Sequence, residues 1–425
     1  MATATAPPAA PHAATERFGV VRHLALSSFW FGNFFLWQPL TTVVLQGQID
    51  ALVPRGSQGT ALGLTLGLGG ILAMSVPPAV GAYSDRLTSR WGRRRPIMVV
   101  GSLVTMAGLA VMASAGSYTV LVVGYLIVQG FFNAAGAAYA GLVPDVVPAQ
   151  EFGRASGFLA TMVQLGSGFG LGATTATAGM DLRLIYSIMG VVVLITLVPT
   201  LWVAAGEGTT PIPRKPRLPA LKAIREFLRP LAGGDFAWVI FTRFMISAGI
   251  TSVAYFLFNF FRDVVQVSNP GQFTPTWFLV VLVVAVPFGL AAGQLSDRFG
   301  RKIFVYLSGG FQAAVALFFV VFFPTNVGLV YAVGAVYGIG YGCYYAVDWA
   351  LACDTLPDRT AVAKDMGLFH VALTLPQTYI PFLAGITLDH FNRQSANSGY
   401  RVIFSAAVVF LFLGTVFVSR IRPVR

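Results

Sequence analysis

Charged residues are scarce in this sequence. Asp, Glu, Lys and Arg together make up 10% of its 425 residues, whereas a soluble globular protein carries about 25%. Hydrophobic residues make up 56% of the chain, and the mean hydropathy is +0.73. Apolar runs recur along almost the whole sequence, each about 20 residues long, which is the length that a helix needs to cross a hydrocarbon core. The composition excludes a soluble globular fold and predicts an all-α membrane protein.

Sequence signatures of enzymes and metal sites are missing as well. The chain has no phosphate-binding Gly-Lys-Ser/Thr loop, no His-rich cluster and no pairing of a nucleophile with a base. The glycine-rich string GLTLGLGG (Gly63–Gly70) is typical of closely packed membrane helices. The two cysteines, Cys343 and Cys353, lie in one apolar run about 15 Å apart along a helix, too far for a disulfide. We therefore expect no catalytic residue, no metal, no cofactor and no direct use of ATP.

Twelve apolar runs qualify as membrane spans, and a proline-rich, basic segment at 206–235 separates them into two groups of six. We expect that segment to form a cytoplasmic linker with a short helix on the membrane surface. The Ala-, Pro- and Thr-rich residues 1–23 are predicted to be a disordered cytoplasmic tail, so the two bundles occupy 24–205 and 236–425. The predicted spans are 24–45, 60–83, 97–114, 118–140, 156–178, 184–205, 236–261, 274–295, 303–323, 327–353, 367–388 and 402–419.

Lysine and arginine residues determine the predicted orientation. If both termini are cytoplasmic, the inner loops and tails hold 22 of them and the outer loops hold 5, which is the positive-inside pattern of membrane proteins. This distribution accounts for the net charge of +12 without a nucleic-acid partner. The Ala-, Gly- and Val-rich, Lys-poor composition is typical of a high-GC bacterium, so we expect the protein in the plasma membrane.

Two short motifs occur once in each half. GAYSDR (Gly81–Arg86) returns as GQLSDR (Gly293–Arg298), 212 positions later and again after the second span of its half. Asp145 in PDVVP and Asp354 in CDTLP are 209 positions apart. Two independent pairs with nearly the same offset indicate an internal duplication of a six-span unit.

In these loops the sequence resembles the major facilitator superfamily of transporters, and the resemblance covers all twelve predicted spans. The first loop is longer and ends WGRRRP (Trp91–Pro96). Together with AYAGLVPD (Ala138–Asp145) and DRTAVAKDMGLF (Asp358–Phe369), it is similar to glycoside–pentoside–hexuronide cation symporters and sucrose–proton symporters. The resemblance implies two pseudo-symmetric six-helix bundles, with 12 transmembrane helices in all, that transport a solute by alternating access. The gating residues that it implies are Gly81, Asp85, Arg86, Gly92, Arg93, Gly293, Asp297, Arg298, Gly300 and Arg301.

The same resemblance implies a cytoplasmic latch between the halves. Asp85 is expected at the positive N-terminus of span 11, and Arg86 with Arg93–Arg95 is expected to pair with carboxylates such as Asp145. The second copy is expected to form the equivalent latch near span 5. The alternative is that the arginines serve membrane topology alone.

Only two charged residues fall within the predicted spans, Arg243 in span 7 and Asp348 in span 10. Each costs about 2.5–3.5 kcal/mol at the centre of a membrane, and their sequence positions place both about 10 Å from the inner surface. In the superfamily, spans 1, 4, 7 and 10 line the central cavity. We therefore expect Arg243 and Asp348 to face it as an ion pair that couples transport to protons. A structural pair, or an Asp348 that reaches the inner interface, is the alternative.

Neutral polar and aromatic residues of the same helices form a candidate surface for sugar hydroxyls and ring faces. The alternative is that these residues join helices through hydrogen bonds. His370, near the inner end of span 11, is expected to have an interfacial or capping role. The candidate substrate-binding residues are Asn33, Gln38, Gln129, Asn133, Tyr255, Asn259, Tyr345, Trp349 and Gln377.

The function predicted from these features is secondary active transport of a small polar solute, of the sugar or glycoside kind, coupled to protons by a monomer in the lipid bilayer. Span 2 has no acidic residue, which disfavours the sodium sites of some glycoside symporters. A drug or metabolite efflux antiporter of the same superfamily is the alternative, although span 5 lacks the Gly-Pro pair of many drug–proton antiporters.

Overall fold

The computed structural model describes residues 18–87, 89–206, 220–357 and 362–422, and all regular structure in these ranges is helical. The first half comprises α1 (Val20–Pro39), α2 (Leu45–Leu52), α3 (Gln58–Ser84), α4 (Arg95–Ala113), α5 (Tyr118–Val146), α6 (Phe152–Ala176) and α7 (Leu182–Val203). The second half comprises α8 (Ala220–Leu228), α9 (Asp235–Ala254), α10 (Leu257–Phe260), α11 (Pro270–Phe299), α12 (Arg301–Phe322), α13 (Val327–Asp354), α14 (Val362–Gln394) and α15 (Ser398–Val416).

Within the described ranges, 10 helices are long and apolar enough to cross a membrane, and they coincide with all the predicted spans except 1 and 5. The chain is therefore a multi-pass membrane protein. Spans 1 and 5 correspond to α1 with α2 and to α6. The number of twelve spans and the bundle boundaries remain predictions, and the predicted tail and linker fall largely in residues 1–17 and 207–219, outside the described ranges.

Loop chemistry explains where several helices begin. Side-chain oxygens of Ser117 and Asn326 accept hydrogen bonds from the first turns of α5 and α13, which satisfies amides that have no partner in their own helix. In the two arginine-rich loops, Gly92 and Gly300 have φ of 94° and 86°. Only glycine adopts that left-handed backbone without strain, so both signature glycines serve the turn into the following helix.

Helix pairings in the first half recur in the second. Helix α1 packs against α6 and α7, and α5 packs against α3 and α4. In the same way, α9 packs against α14 and α15, and α13 packs against α11 and α12. This is the packing that a duplicated six-helix unit predicts.

Two antiparallel helix pairs join the halves: α3 with α14, and α6 with α11. We call the end of the molecule with the loops at 85–94, 147–151 and 355–357 the basic end. The end with the loops at 53–57, 177–181 and 395–397 is the opposite end. The two joining pairs run between these ends, so their separation at either end determines which side is open.

The spans that begin with α1 and α9 are each interrupted midway. Pro39 has no amide hydrogen and ends the regular pattern of α1, and a π-helical turn at Leu40–Val44 follows. Helix α9 ends at Ala254, and a further π-helical turn at Phe261–Val265 follows α10. Such interruptions are frequent at functional sites, and here they flank Gln38, Thr41 and Tyr255.

Candidate substrate cavity and charged clusters

A two-lobed cavity lies between the halves. Four residues line both lobes: Gln38, Thr41, Tyr255 and Gln377. The smaller lobe, of about 140 Å³, extends towards α6, α11 and α13. The larger, of about 320 Å³, extends towards α3, α5 and α14. We call the smaller one the tyrosine lobe and the larger one the amide lobe.

Three tyrosines spaced four residues apart on α13 line the tyrosine lobe: Tyr337, Tyr341 and Tyr345. Ring centroids of Tyr341 and Tyr345 are 4.6 Å apart, and those of Tyr337 and Tyr341 are 6.2 Å apart. Residues four apart share one face of a helix, so this spacing in the sequence could have revealed the stripe. Of the three, only Tyr345 was among the predicted binding residues.

Hydrogen bonds among side chains fix the wall of the amide lobe. Asn133 Nδ2 donates to the Gln129 backbone carbonyl at 2.7 Å and to Gln129 Oε1 at 2.8 Å. Gln129 Nε2 donates to the Tyr125 hydroxyl at 3.1 Å. Aromatic rings of Phe34 and Trp37 complete this wall. The amides are therefore held in place before any ligand enters.

The described lining of both lobes contains no Asp, Glu, Lys or Arg. Its polar groups are amides, hydroxyls and one imidazole, that of His370, and its apolar surface combines aromatic rings with aliphatic side chains. An uncharged wall of this kind favours a ligand without net charge, because a buried unpaired charge carries a large desolvation cost. Hydroxyls and ring faces are the ligand groups that it complements.

Three predicted binding residues lie away from both lobes. The side chain of Asn33 is buried where α1 approaches Gly136 of α5. Asn259 lines a separate cavity of about 220 Å³ at the opposite end, together with Arg262. Trp349 is 60% exposed and meets the ring of Phe369 edge-on. The residues that the structure brings together at the cavity are Gln38, Gln129, Asn133, Tyr255, Tyr345 and Gln377.

Arg243 of α9 and Asp348 of α13 form an ion pair in which both side chains are less than a tenth exposed. The ring of Phe369 lies over the guanidinium, 3.7 Å from its centroid. Neither charged residue lines the cavity lobes. The pair was expected to face the cavity directly, and instead the aromatic ring of α14 covers its arginine.

At the basic end, charged residues form a cluster within the first half. Asp85 lies 2.7 Å from Arg94, and Asp145 lies 3.1 Å from both Arg93 and Arg94. Arg94 also donates to the Ser84 hydroxyl at 2.9 Å, and its side chain is only 5% exposed. Arg86 was expected in this cluster together with Arg93–Arg95, but Arg86 is exposed, whereas Arg94 lies at the centre of the cluster.

The second loop copy places Arg301 Nε 2.7 Å from Asp354, again within one half. Arg298 is exposed, and the side chain of Asp297 lies outside the described part of the chain. A Cβ added at Gly81 or Gly293 would have no neighbour within 4 Å. In this conformation, therefore, the described ion pairs of the two signature loops do not bridge the halves.

At the opposite end, polar contacts do bridge the halves. The backbone amides of Gly59 and Thr60, at the start of α3, donate to the two carboxylate oxygens of Asp389 of α14 at 3.1 and 2.6 Å. Asp50 of α2 forms an ion pair with Arg262. The carboxylate of Asp389 thus caps a helix that belongs to the other half.

Glycines allow the helices to meet closely there. A Cβ at Gly63 would lie 2.3 Å from the Pro381 carbonyl oxygen, and one at Gly385 would lie 2.1 Å from that of Gly59. Together with the Asp389 cap, this packing brings the halves into close contact at the opposite end, whereas a Cβ at Gly81 or Gly293, near the basic end, would meet nothing within 4 Å.

Comparison with known proteins identifies the protein family. The family model described as the Major Facilitator Superfamily matches residues 56–364 and 282–425. A bacterial homologue of the human lysosomal transporter Spinster, in its inward-facing and unoccupied form, has a TM-score of 0.74 with 16% identity and covers 96% of this chain and 97% of its own. A mutant of the nucleoside transporter NupG has a TM-score of 0.72 with 14% identity, over 94% of this chain and 99% of its own.

A sucrose transport protein of rice, Oryza sativa subsp. japonica, is 48% identical to this chain over 44 residues, which are 10% of this chain. That alignment spans 8% of the length of the rice protein. The likeness is therefore local, whereas the structural likeness extends over the whole fold.

Proposed function

The chain belongs to the major facilitator superfamily and is a secondary transporter, and we propose that it carries a small, uncharged, polar solute of the sugar or glycoside kind, coupled to protons. The solute binds in the two-lobed cavity while the protein is open at the basic end. Alternating separation of the α3–α14 and α6–α11 pairs at the two ends then exposes the cavity to each side in turn.

The uncharged cavity lining carries this proposal. Amides of Gln38, Gln129 and Gln377 offer both donors and acceptors, as sugar hydroxyls require. Tyrosine and tryptophan rings offer flat apolar faces to a pyranose or an aglycone. The local identity with a rice sucrose transport protein adds support for this solute class.

Proton coupling is assigned to Arg243 and Asp348. A buried carboxylate that is paired with a cation is a common element of proton relays in membranes. Proton uptake by Asp348 would release Arg243, and the two residues belong to different helices, α9 and α13. Coupling through this pair requires no sodium site.

Purified protein in liposomes tests the proposal. We expect a panel of neutral mono- and disaccharides and aryl glycosides to include a solute that exchanges across the membrane and accumulates under a pH gradient. Asp348→Asn should abolish accumulation and retain exchange, whereas Gln38→Leu should reduce both at least about tenfold through the loss of buried hydrogen bonds. Transport of lipophilic cations in place of sugars would contradict the proposal and favour the efflux alternative.

A further inference from the structure

The water-facing lining of the amide lobe contains one histidine. His370 of α14 is exposed and lines this lobe, although the sequence favoured an interfacial or capping role for it. The neighbouring residue, Phe369, is 1% exposed and covers the Arg243 guanidinium. Of these two consecutive residues of α14, His370 therefore faces the cavity and Phe369 faces the buried ion pair.

His370 also lies within electrostatic range of Arg243. The groups that line the amide lobe with it are otherwise uncharged. Helix α1 and the turn after it contribute Phe34, Trp37, Gln38 and Thr41, α3 contributes Leu66, Gly70, Ala73 and Pro77, α5 contributes Tyr125, Gln129 and Asn133, and Tyr255 directly follows the end of α9. From α13, Tyr344, Tyr345 and Asp348 surround Arg243.

Among the groups that line the lobe, histidine is the side chain whose ordinary pKa falls between pH 5 and 8, whereas that of tyrosine is near 10. A proton taken from the cavity turns the imidazole into a cation within electrostatic range of Arg243. Like charges at short range repel. Protonation therefore favours any arrangement in which α14 carries His370 away from α9.

From this juxtaposition we propose that His370 is a positioning residue for proton coupling: it binds a proton from the cavity, acts on the Arg243–Asp348 pair through its charge, and makes the equilibrium between the two open states depend on pH. The inference rests on the proposed proton coupling and adds a residue to it. By linkage, a proton that favours one conformation binds that conformation more tightly by the same factor.

Spin-label distances test this without a known solute. The native Cys343 and Cys353 are first changed to alanine. Cysteines for the labels are then introduced at Arg154 of α6 and Phe299 of α11, which are both exposed at the basic end. We expect the ratio of open to closed distances at that end to change about tenfold between pH 5.5 and 8, as a shift of about one pKa unit requires. In His370→Gln, which keeps a polar side chain of similar size, the pH response of this ratio should be at least about threefold smaller than in the wild type, and Asp348 accounts for the remainder.

His390→Gln is the matched control, because His390 is an exposed histidine on the same helix at the opposite end, hydrogen-bonded to Gln394. It should keep the full pH response. An unchanged pH response in His370→Gln, or its loss in His390→Gln, overturns the inference, as does a wild-type protein that shows no pH response. Sugar exchange in the liposome assay is a separate readout, so a failed pH response with intact exchange rejects His370 and proton coupling but leaves the solute assignment standing.

Discussion

The two ends of the molecule hold their charges in different ways. At the opposite end, Asp389 and Arg262 make contacts between the halves, and glycines bring α3 and α14 together. At the basic end, Arg94 and Arg301 pair with carboxylates of their own half. The same helix, α3, is therefore tightly packed near Gly63 and has no close neighbour at Gly81. In the proposed alternating-access cycle, contacts between the halves at one end and local charge pairing at the other would mark one of the two open states.

The largest expected effect on the closed population at the opposite end comes from Gly63→Val. A side chain there meets the backbone of Pro381, 2.3 Å from its carbonyl oxygen, and backbone cannot move aside as a flexible side chain can. Overpacking against backbone falls at the upper end of the usual cost of about 1–3 kcal/mol, so the ratio of closed to open molecules at the opposite end should fall about a hundredfold. Distances between spin labels at Ser57 and Ser395 measure this population.

Gly81→Val is the matched control, since nothing lies within 4 Å of that position in this state. It should leave the opposite end closed and, if the predicted latch forms in the alternate state, block closure of the basic end. Equal effects of the two substitutions on the Ser57–Ser395 distance would contradict the comparison.

A smaller effect is expected from Asp389→Asn. The substitution removes the negative charge that accepts from the Gly59 and Thr60 amides, and hydrogen bonds to charged groups contribute about 1.5–3 kcal/mol. Since an amide oxygen still accepts one bond, we expect roughly a tenfold loss of the closed state, measured with the same labels.

Asp181→Asn provides the control for Asp389→Asn. Asp181 accepts from the Arg183 amide at 2.9 Å and caps α7 within its own half at the same end. Loss of this cap should lower the stability of the protein slightly and leave the Ser57–Ser395 distance unchanged. A shift as large as that of Asp389→Asn would mean that helix capping in general, and not the contact between halves, sets the conformation.

Sequence alone predicted the helical membrane fold and the two signature loops, because hydropathy and repeat spacing are local properties. It also predicted that Arg243 and Asp348 lie at one depth, since helical rise converts position into height. It missed Asp389, whose partners are about 330 residues away, and it did not single out Arg94 from Arg86, Arg93 and Arg95. Those contacts depend on how α3 crosses α14 and on which arginine the turn at Gly92 directs inward, neither of which a single sequence encodes as a pattern.

At the basic end, Asp145→Asn should reduce transport more than Asp85→Asn. Asp145 is 14% exposed and contacts both Arg93 and Arg94, whereas Asp85 is 43% exposed and contacts Arg94. Exposed pairs contribute little because water screens them. We expect a loss of about threefold to tenfold in initial transport rate for Asp145→Asn and less for Asp85→Asn, with equal membrane insertion of both. Unchanged transport in Asp85→Asn would reject its predicted part in the latch.

The smallest effect is expected at Glu151, which accepts from the Phe18 amide at 2.9 Å and contacts His23 Nε2 at 2.9 Å. The hydrogen bond from His23, helped by that from Phe18, lowers the pKa of the Glu151 carboxyl below its ordinary value. An acid whose pKa is lower in the folded state adds stability above its unfolded pKa and loses that stability as the pH falls through the folded value. Glu151→Gln should therefore lower the melting temperature by about 1–2 °C at pH 7, and the difference should shrink as the pH falls through the lowered pKa of the carboxyl. Because this contact joins α1 to α6 inside one half, the Ser57–Ser395 distance should not change. A change there would show that the ends are coupled through α1, and the contrast between local and bridging contacts would then fail.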